Sequence, residues 1–174
     1  MKGNTTFVFT LLVDNEFGVL TRITALIRRA GWNIRSLSVA ETKTTEVSRL
    51  TICLECRHYT LEQVLDRLSR LDCVRKILPY SKETQVAREL ALLHLETTDE
   101  AVLQQICREL SATPLEHKRG HVILSAVCEE GLLDQMLPWL REQGLVDIAR
   151  TGAISLRRSL DCKEEASRET ACSQ

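Results

Sequence analysis

Aromatic residues make up only 4% of this 174-residue chain, which weakens the case for a surface on which bases stack. Charge of one sign is lacking as well: 23 Lys and Arg stand against 24 Asp and Glu, a net −1 that gives no electrostatic case for a nucleic-acid partner. No apolar run reaches the length that crosses a bilayer. The opening Met1-Lys2-Gly3-Asn4-Thr5-Thr6 lacks the apolar core of a signal peptide, so a cytoplasmic protein is expected. The phosphate-cradling G-x-x-x-x-G-K-[ST] and G-x-G-x-x-G patterns are missing, and so is the nucleophile motif G-x-S-x-G. Glu55, Glu62 and Glu96 fall on different predicted elements and join no nucleophile–base pair. No catalytic residue is expected in the chain.

What is present is an ordinary globular composition, 44% hydrophobic and 27% charged, in a length that suits one medium domain or two small ones. The apolar strand Phe7–Val13 enters a turn at Asp14-Asn15-Glu16-Phe17-Gly18. Val19, Leu20, Ile23, Leu26, Ile27 and Ala30 then recur at the 3.6-residue period, which predicts an amphipathic helix stopped by Gly31. Strands are predicted at 33–40 and 47–56, a helix over 60–71, and a strand over 73–79. The same order follows again: a strand at 89–96, a helix at 99–110 capped by Thr98 or Asp99, and an edge strand at 112–118 interrupted by Pro114. A strand at 121–128 and a helix carrying Leu132, Leu133, Met136, Leu137 and Leu140 come next, with Pro138 expected to kink or loosen the helix. The last strand, 145–156, has a possible break at Gly152. Two βαββαβ units imply an α+β fold of two ferredoxin-like sandwiches in tandem. The expected division is a first domain at 6–80, a linker at 81–88, a second domain at 89–158 and a disordered tail at 159–174. Each sheet has a helix-free face and open edges, and a dimer would cover them.

The turn after the first strand is where chemistry is expected. Asn15 is placed to cap the helix with its side-chain oxygen, and Gly18, without a Cβ, admits a ligand to the backbone. The first amides of the helix have no intrahelical acceptor and could hold a carboxylate without any lysine. Elsewhere, simpler readings prevail. In Cys53-Leu54-Glu55-Cys56 the two sulfurs point to opposite faces of a strand, against a zinc or redox role. The seven cysteines at irregular spacing read as reduced thiols. His117 and His121 lie across a turn with no further ligand nearby in sequence, and His58 and His94 are isolated. Arg28-Arg29 and Arg157-Arg158 read as solvated charge, whereas Arg150 sits inside an apolar strand and must face water, a carboxylate or a partner.

Asn15-Glu16-x-Gly18-Val19-Leu20-x-Arg22, Arg29-x-Gly31-x-Asn33-Ile34-x-Ser36-Leu37-x-Val39 and Ser48-Arg49-Leu50-Thr51 together resemble one family closely. So do Val86-x-Arg88-Glu89-Leu90-x-Leu92 and the block from Gly144-Leu145 through Asp147-Ile148-Ala149-Arg150-Thr151-Gly152 to Ile154 and Leu156. The family is the small regulatory subunit of acetolactate synthase (acetohydroxyacid synthase). The resemblance implies an N-terminal ACT domain and a homodimer formed through it. It implies a non-catalytic partner of a large catalytic subunit, in which thiamine diphosphate, Mg and FAD are expected; no cofactor or metal is expected in this chain. That enzyme serves branched-chain amino acid synthesis, and the small subunit raises its activity and confers feedback inhibition, usually by valine. Carried over, the effector site takes Asn15, Gly18, Val19 and Leu20 from one copy and Asn33 and Ile34 from its neighbour. In the second domain, Arg150, Thr151 and Gly152 are the expected large-subunit contact. Phe17 stands where the family often has proline or serine, and Trp32 where it usually has tyrosine. The alternative class is a free-standing ACT sensor of amino acids; an RNA-recognition sandwich shares the element order but needs an aromatic, basic central strand that this chain lacks.

Overall fold

The computed structural model of the chain describes residues 5–129 and 131–158. Its first six elements are β1 (Thr5–Asp14), α1 (Val19–Ala30), β2 (Asn33–Glu41), β3 (Val47–Cys56), α2 (Leu61–Ser69) and β4 (Val74–Pro79). They form an antiparallel sheet in the order β2-β3-β1-β4, which leaves β2 and β4 at the edges. Period-two alternation turns Phe9, Leu11 and Val13 of β1 and Leu50, Ile52 and Leu54 of β3 to one face, all buried. Val19, Ile23 and Ile27 of α1 and Val64 and Leu68 of α2 pack into the same core. Each such side chain contributes about 1.5–3 kcal/mol on burial. Gly31 takes the left-handed stop, and Thr60 with Gln63 forms a capping box that starts α2.

The second run is β5 (Gln85–Glu96), α3 (Glu100–Glu109), β6 (Thr113–Lys118), β7 (His121–Glu129), α4 (Leu132–Glu142) and β8 (Leu145–Arg150). Its sheet order is β6-β7-β5-β8. Ala91, Leu93, Leu95, Val122, Leu124 and Ala126 meet Leu103, Ile106, Leu133 and Leu140 in a second core. Strand β6, with Pro114, is exposed along its whole length and lies at an edge, as expected. Pro138 does not end α4: it lies on the exposed side, and Leu140, beyond it, is anchored in the core.

The units are bounded differently from the expected division. One extends to Val86 and takes back the stretch from Ile154; the other is Ala87–Ala153. Half of the expected 81–88 linker is strand, because β5 begins at Gln85. The inward positions at its start are Gln85, Ala87 and Glu89, all buried; two are polar and the third is small, so the hydrophobic signal is weak. Gln85 is satisfied by donating from Nε2 to the Pro79 carbonyl at 2.8 Å. The expected 145–156 strand breaks at Thr151–Ala153, and β9 (Ile154–Arg157), paired to β5, follows. Ser155 then caps a buried hydroxyl cluster on the helix-free face of the first sheet. Its Oγ is 2.8 Å from Thr10 Oγ1, which is 3.3 Å from Thr51 Oγ1. The Arg49 guanidinium donates to the Ser155 carbonyl at 3.3 Å. The 159–174 tail lies outside the described residues.

Gly144, after α4, has φ +90°, and a Cβ there would run into the Glu96 carbonyl, whose own amide donates to Gly144 O at 2.8 Å. Gly144→Ala is therefore expected to cost about 2–3 kcal/mol, from backbone strain and a rigid clash. Chemical unfolding of the full chain measures it; an unchanged midpoint would contradict the close approach.

Candidate functional site

The β1–α1 turn departs from the expected capping. The residue before the helix is Gly18, at φ +82° and ψ −4°, and no side chain caps α1. Asn15 instead ties the turn to the β2–β3 hairpin. Its Nδ2 donates to Glu41 Oε1 at 3.1 Å and to the Thr45 carbonyl at 2.8 Å, while its Oδ1 accepts from Ser48 Oγ at 2.9 Å. Its backbone amide donates to the Glu46 carbonyl at 3.0 Å. Asn15 lies three residues before Gly18, too early to cap α1, and the hairpin groups that claim its side chain are far away in sequence.

The absence of a side-chain cap leaves donors free. Among the described residues, the amides of Gly18, Leu20 and Thr21 have no hydrogen-bond acceptor; that of Val19 reaches Glu16 O at 3.4 Å, a long bond. These amides carry the positive end of the helix dipole. The Val19 side chain is buried beneath them, whereas Leu20 is partly exposed and Phe17 stands fully in solvent. A Cβ on Gly18 would meet nothing within 4 Å, so the space above the turn is open. The arrangement suits a small anion next to an apolar rim.

Asn33 and Ile34 are not brought to this turn within one chain. Asp14 pairs with Val47 at one end of β3, and Asn33 pairs with Glu55 near the other. Eight residues of strand separate those ends, about 26 Å.

Arg150 resolves the question its position posed: it faces carboxylates. Its guanidinium donates to both oxygens of Glu89 at 2.8–3.1 Å and to Asp134 Oδ1 at 2.7 Å. Glu89 is only 3% exposed. Burial alone would lower the Arg150 pKa, but the hydrogen bonds and charges of Glu89 and Asp134 outweigh it, and the net shift is upward. Thr151 locks the end of β8 to β5: its amide donates to the Leu90 carbonyl at 3.0 Å, and its Oγ1 accepts from the Leu90 amide at 3.1 Å.

Cys56 lies in the first core and Cys53 on the opposite face of β3. Burial, with the Glu55 charge adding to it, pushes the Cys56 thiol up to about 11, where it is neither a ligand nor a nucleophile at neutral pH. The histidine pair suggested by sequence is replaced by another: His94 Nε2 and His121 Nδ1 are 3.2 Å apart. No spacing in the sequence signals that contact, because strand register alone creates it.

Comparison with known proteins gives the family. The model described as "AHAS small subunit-like ACT domain" matches residues 9–76, which makes the first unit an ACT domain. A second, "Small subunit of acetolactate synthase", matches residues 88–159. The acetolactate synthase small subunit of Aquifex aeolicus is 33% identical over 166 residues, 91% of this chain and 84% of that one. That of Bacillus subtilis is 27% identical, covering 92% of this chain and 95% of its own. The chain belongs to the acetolactate synthase small-subunit family. The crystal structure of the Thermotoga maritima acetolactate synthase small subunit is similar at a TM-score of 0.74 and 27% identity, over 88% of this chain and 98% of that one.

Proposed function

We propose that this chain is the regulatory, non-catalytic subunit of a cytoplasmic acetolactate synthase, and that it binds valine or a related aliphatic amino acid at the start of α1. In this reading it activates a thiamine-diphosphate-dependent large subunit and makes it subject to feedback inhibition. The observation that carries the reading is the set of acceptor-free amides at Gly18, Leu20 and Thr21. They take the effector's carboxylate; the unused lone pair of Asn15 Oδ1 takes its ammonium, and Leu20 lies beside its side chain.

Strand β2 supplies the argument for a homodimer. It is an edge, and Asn33–Glu41 is centred on Leu37. Antiparallel self-pairing about Leu37 would set the partner's Asn33 opposite Glu41, the residue that Asn15 already grips. Both halves of the site then meet, although one chain holds them at opposite ends of its sheet. The expected large-subunit contact narrows in this reading: Arg150 shapes the segment, Gly152 is buried within it, and exposed Thr151 is what a partner would meet.

Calorimetric titration of the full chain with valine, leucine and isoleucine tests the site. One saturable event per chain is expected, and no heat with any of the three would refute it. Asn33→Ala is expected to weaken binding by about 1–3 kcal/mol, the worth of a hydrogen bond to a charged ligand. Unchanged affinity would remove the neighbouring copy from the site.

A further inference from the structure

We propose that His94 and His121 form a chelating pair for a borderline divalent cation, Zn²⁺ or Ni²⁺, on the helix-free face of the second unit's sheet. Strand register builds the pair. Glu96 of β5 lies opposite His121 of β7, and His94 lies opposite Ile123, so the two imidazoles sit diagonally on one face. His94 Nε2 and His121 Nδ1 are 3.2 Å apart, with the ring planes inclined at 47°. Two imidazole nitrogens bound to one tetrahedral Zn²⁺ at about 2.0–2.1 Å stand about 3.3 Å apart, so the pair is already at chelating separation. An ion would take the place of the hydrogen bond between these nitrogens. Imidazole donors select the Zn²⁺, Ni²⁺ and Cu²⁺ class over the hard cations.

The surroundings favour positive charge at this end of the face. Asp147 of β8 lies opposite His94, and Glu96 opposite His121. Lys118, opposite His121 on β6, is exposed to solvent, which screens its charge. Asp147 Oδ1 accepts from the Ile148 amide at 2.8 Å. No group of three possible ligands converges among the described residues, so water completes the shell of an open, two-imidazole site. The sequence-adjacent candidate His117 is excluded by register: it pairs with Val122, whose side chain points into the core on the other face.

The site is independent of the amino-acid site, and the test keeps them apart. The full chain is titrated calorimetrically with Zn²⁺ and with Ni²⁺ under a non-coordinating reductant, alongside His94→Gln, His121→Gln and His117→Gln. Circular dichroism confirms the fold of each variant. One ion per chain is expected, with affinity lowered at least about tenfold in His94→Gln and in His121→Gln and unchanged in His117→Gln. Wild-type affinity in His94→Gln or His121→Gln, an equal loss in His117→Gln, or no saturable binding would overturn the assignment.

Discussion

Replacing Gly18 by aspartate is expected to abolish the response to the amino acid. The new carboxylate would sit about 4 Å from the effector's own, where two like charges repel by about 4 kcal/mol at an effective dielectric constant near 20. That corresponds to roughly a thousandfold loss of affinity. The variant should still fold. A Cβ at Gly18 meets nothing within 4 Å, and the φ of +82° is one that aspartate tolerates better than most side chains. Gly18→Asn separates charge from shape, since it is isosteric and neutral and should keep much of the response. Undiminished valine inhibition in Gly18→Asp would show that the carboxylate is bound elsewhere.

The second large effect is on stability. Arg150→Ala is expected to cost about 3–5 kcal/mol, because it leaves Glu89, 3% exposed, as an uncompensated buried charge. Asp134→Ala should cost about 1 kcal/mol or less, since that side chain is 44% exposed and its pair with Arg150 is partly screened. Adding Glu89→Gln to Arg150→Ala should recover part of the loss, as a neutral amide is cheaper to bury. Urea unfolding of the full chain measures all three. Equal small losses for Arg150→Ala and Asp134→Ala would mean that the Glu89–Arg150 pair contributes little. The pair also explains why an arginine is accommodated in an apolar strand: it fastens β8 to β5 and, through Asp134, to α4.

Much of the fold was legible because it rests on local periodicity. Helix α1 follows from its apolar face and Gly31, β3 from the alternation of Leu50, Ile52 and Leu54, and α2 from the Thr60 cap. The errors fall where long-range contacts decide. Asn15 caps nothing, since Glu41, Thr45 and Ser48 claim its side chain from a hairpin thirty or so residues on. The start of β5 resembles a linker in sequence because its inward residues are polar or small, and Gln85 is accommodated in the interior by the acceptor that Pro79 offers. Glu89 and Arg150 are 61 residues apart, and His94 and His121 are 27 apart; only register joins them. Sequence marked Arg150 as needing a partner but could not say which.

The proposed regulatory role rests on one binding event, the capture of an amino acid at the start of α1. The most direct measurement is acetolactate formation by the large subunit, with and without this chain, across a valine series. Activity should rise when the chain is added, and valine should lower it only in the chain's presence. A large subunit whose rate and valine response are the same with and without the chain would contradict the account.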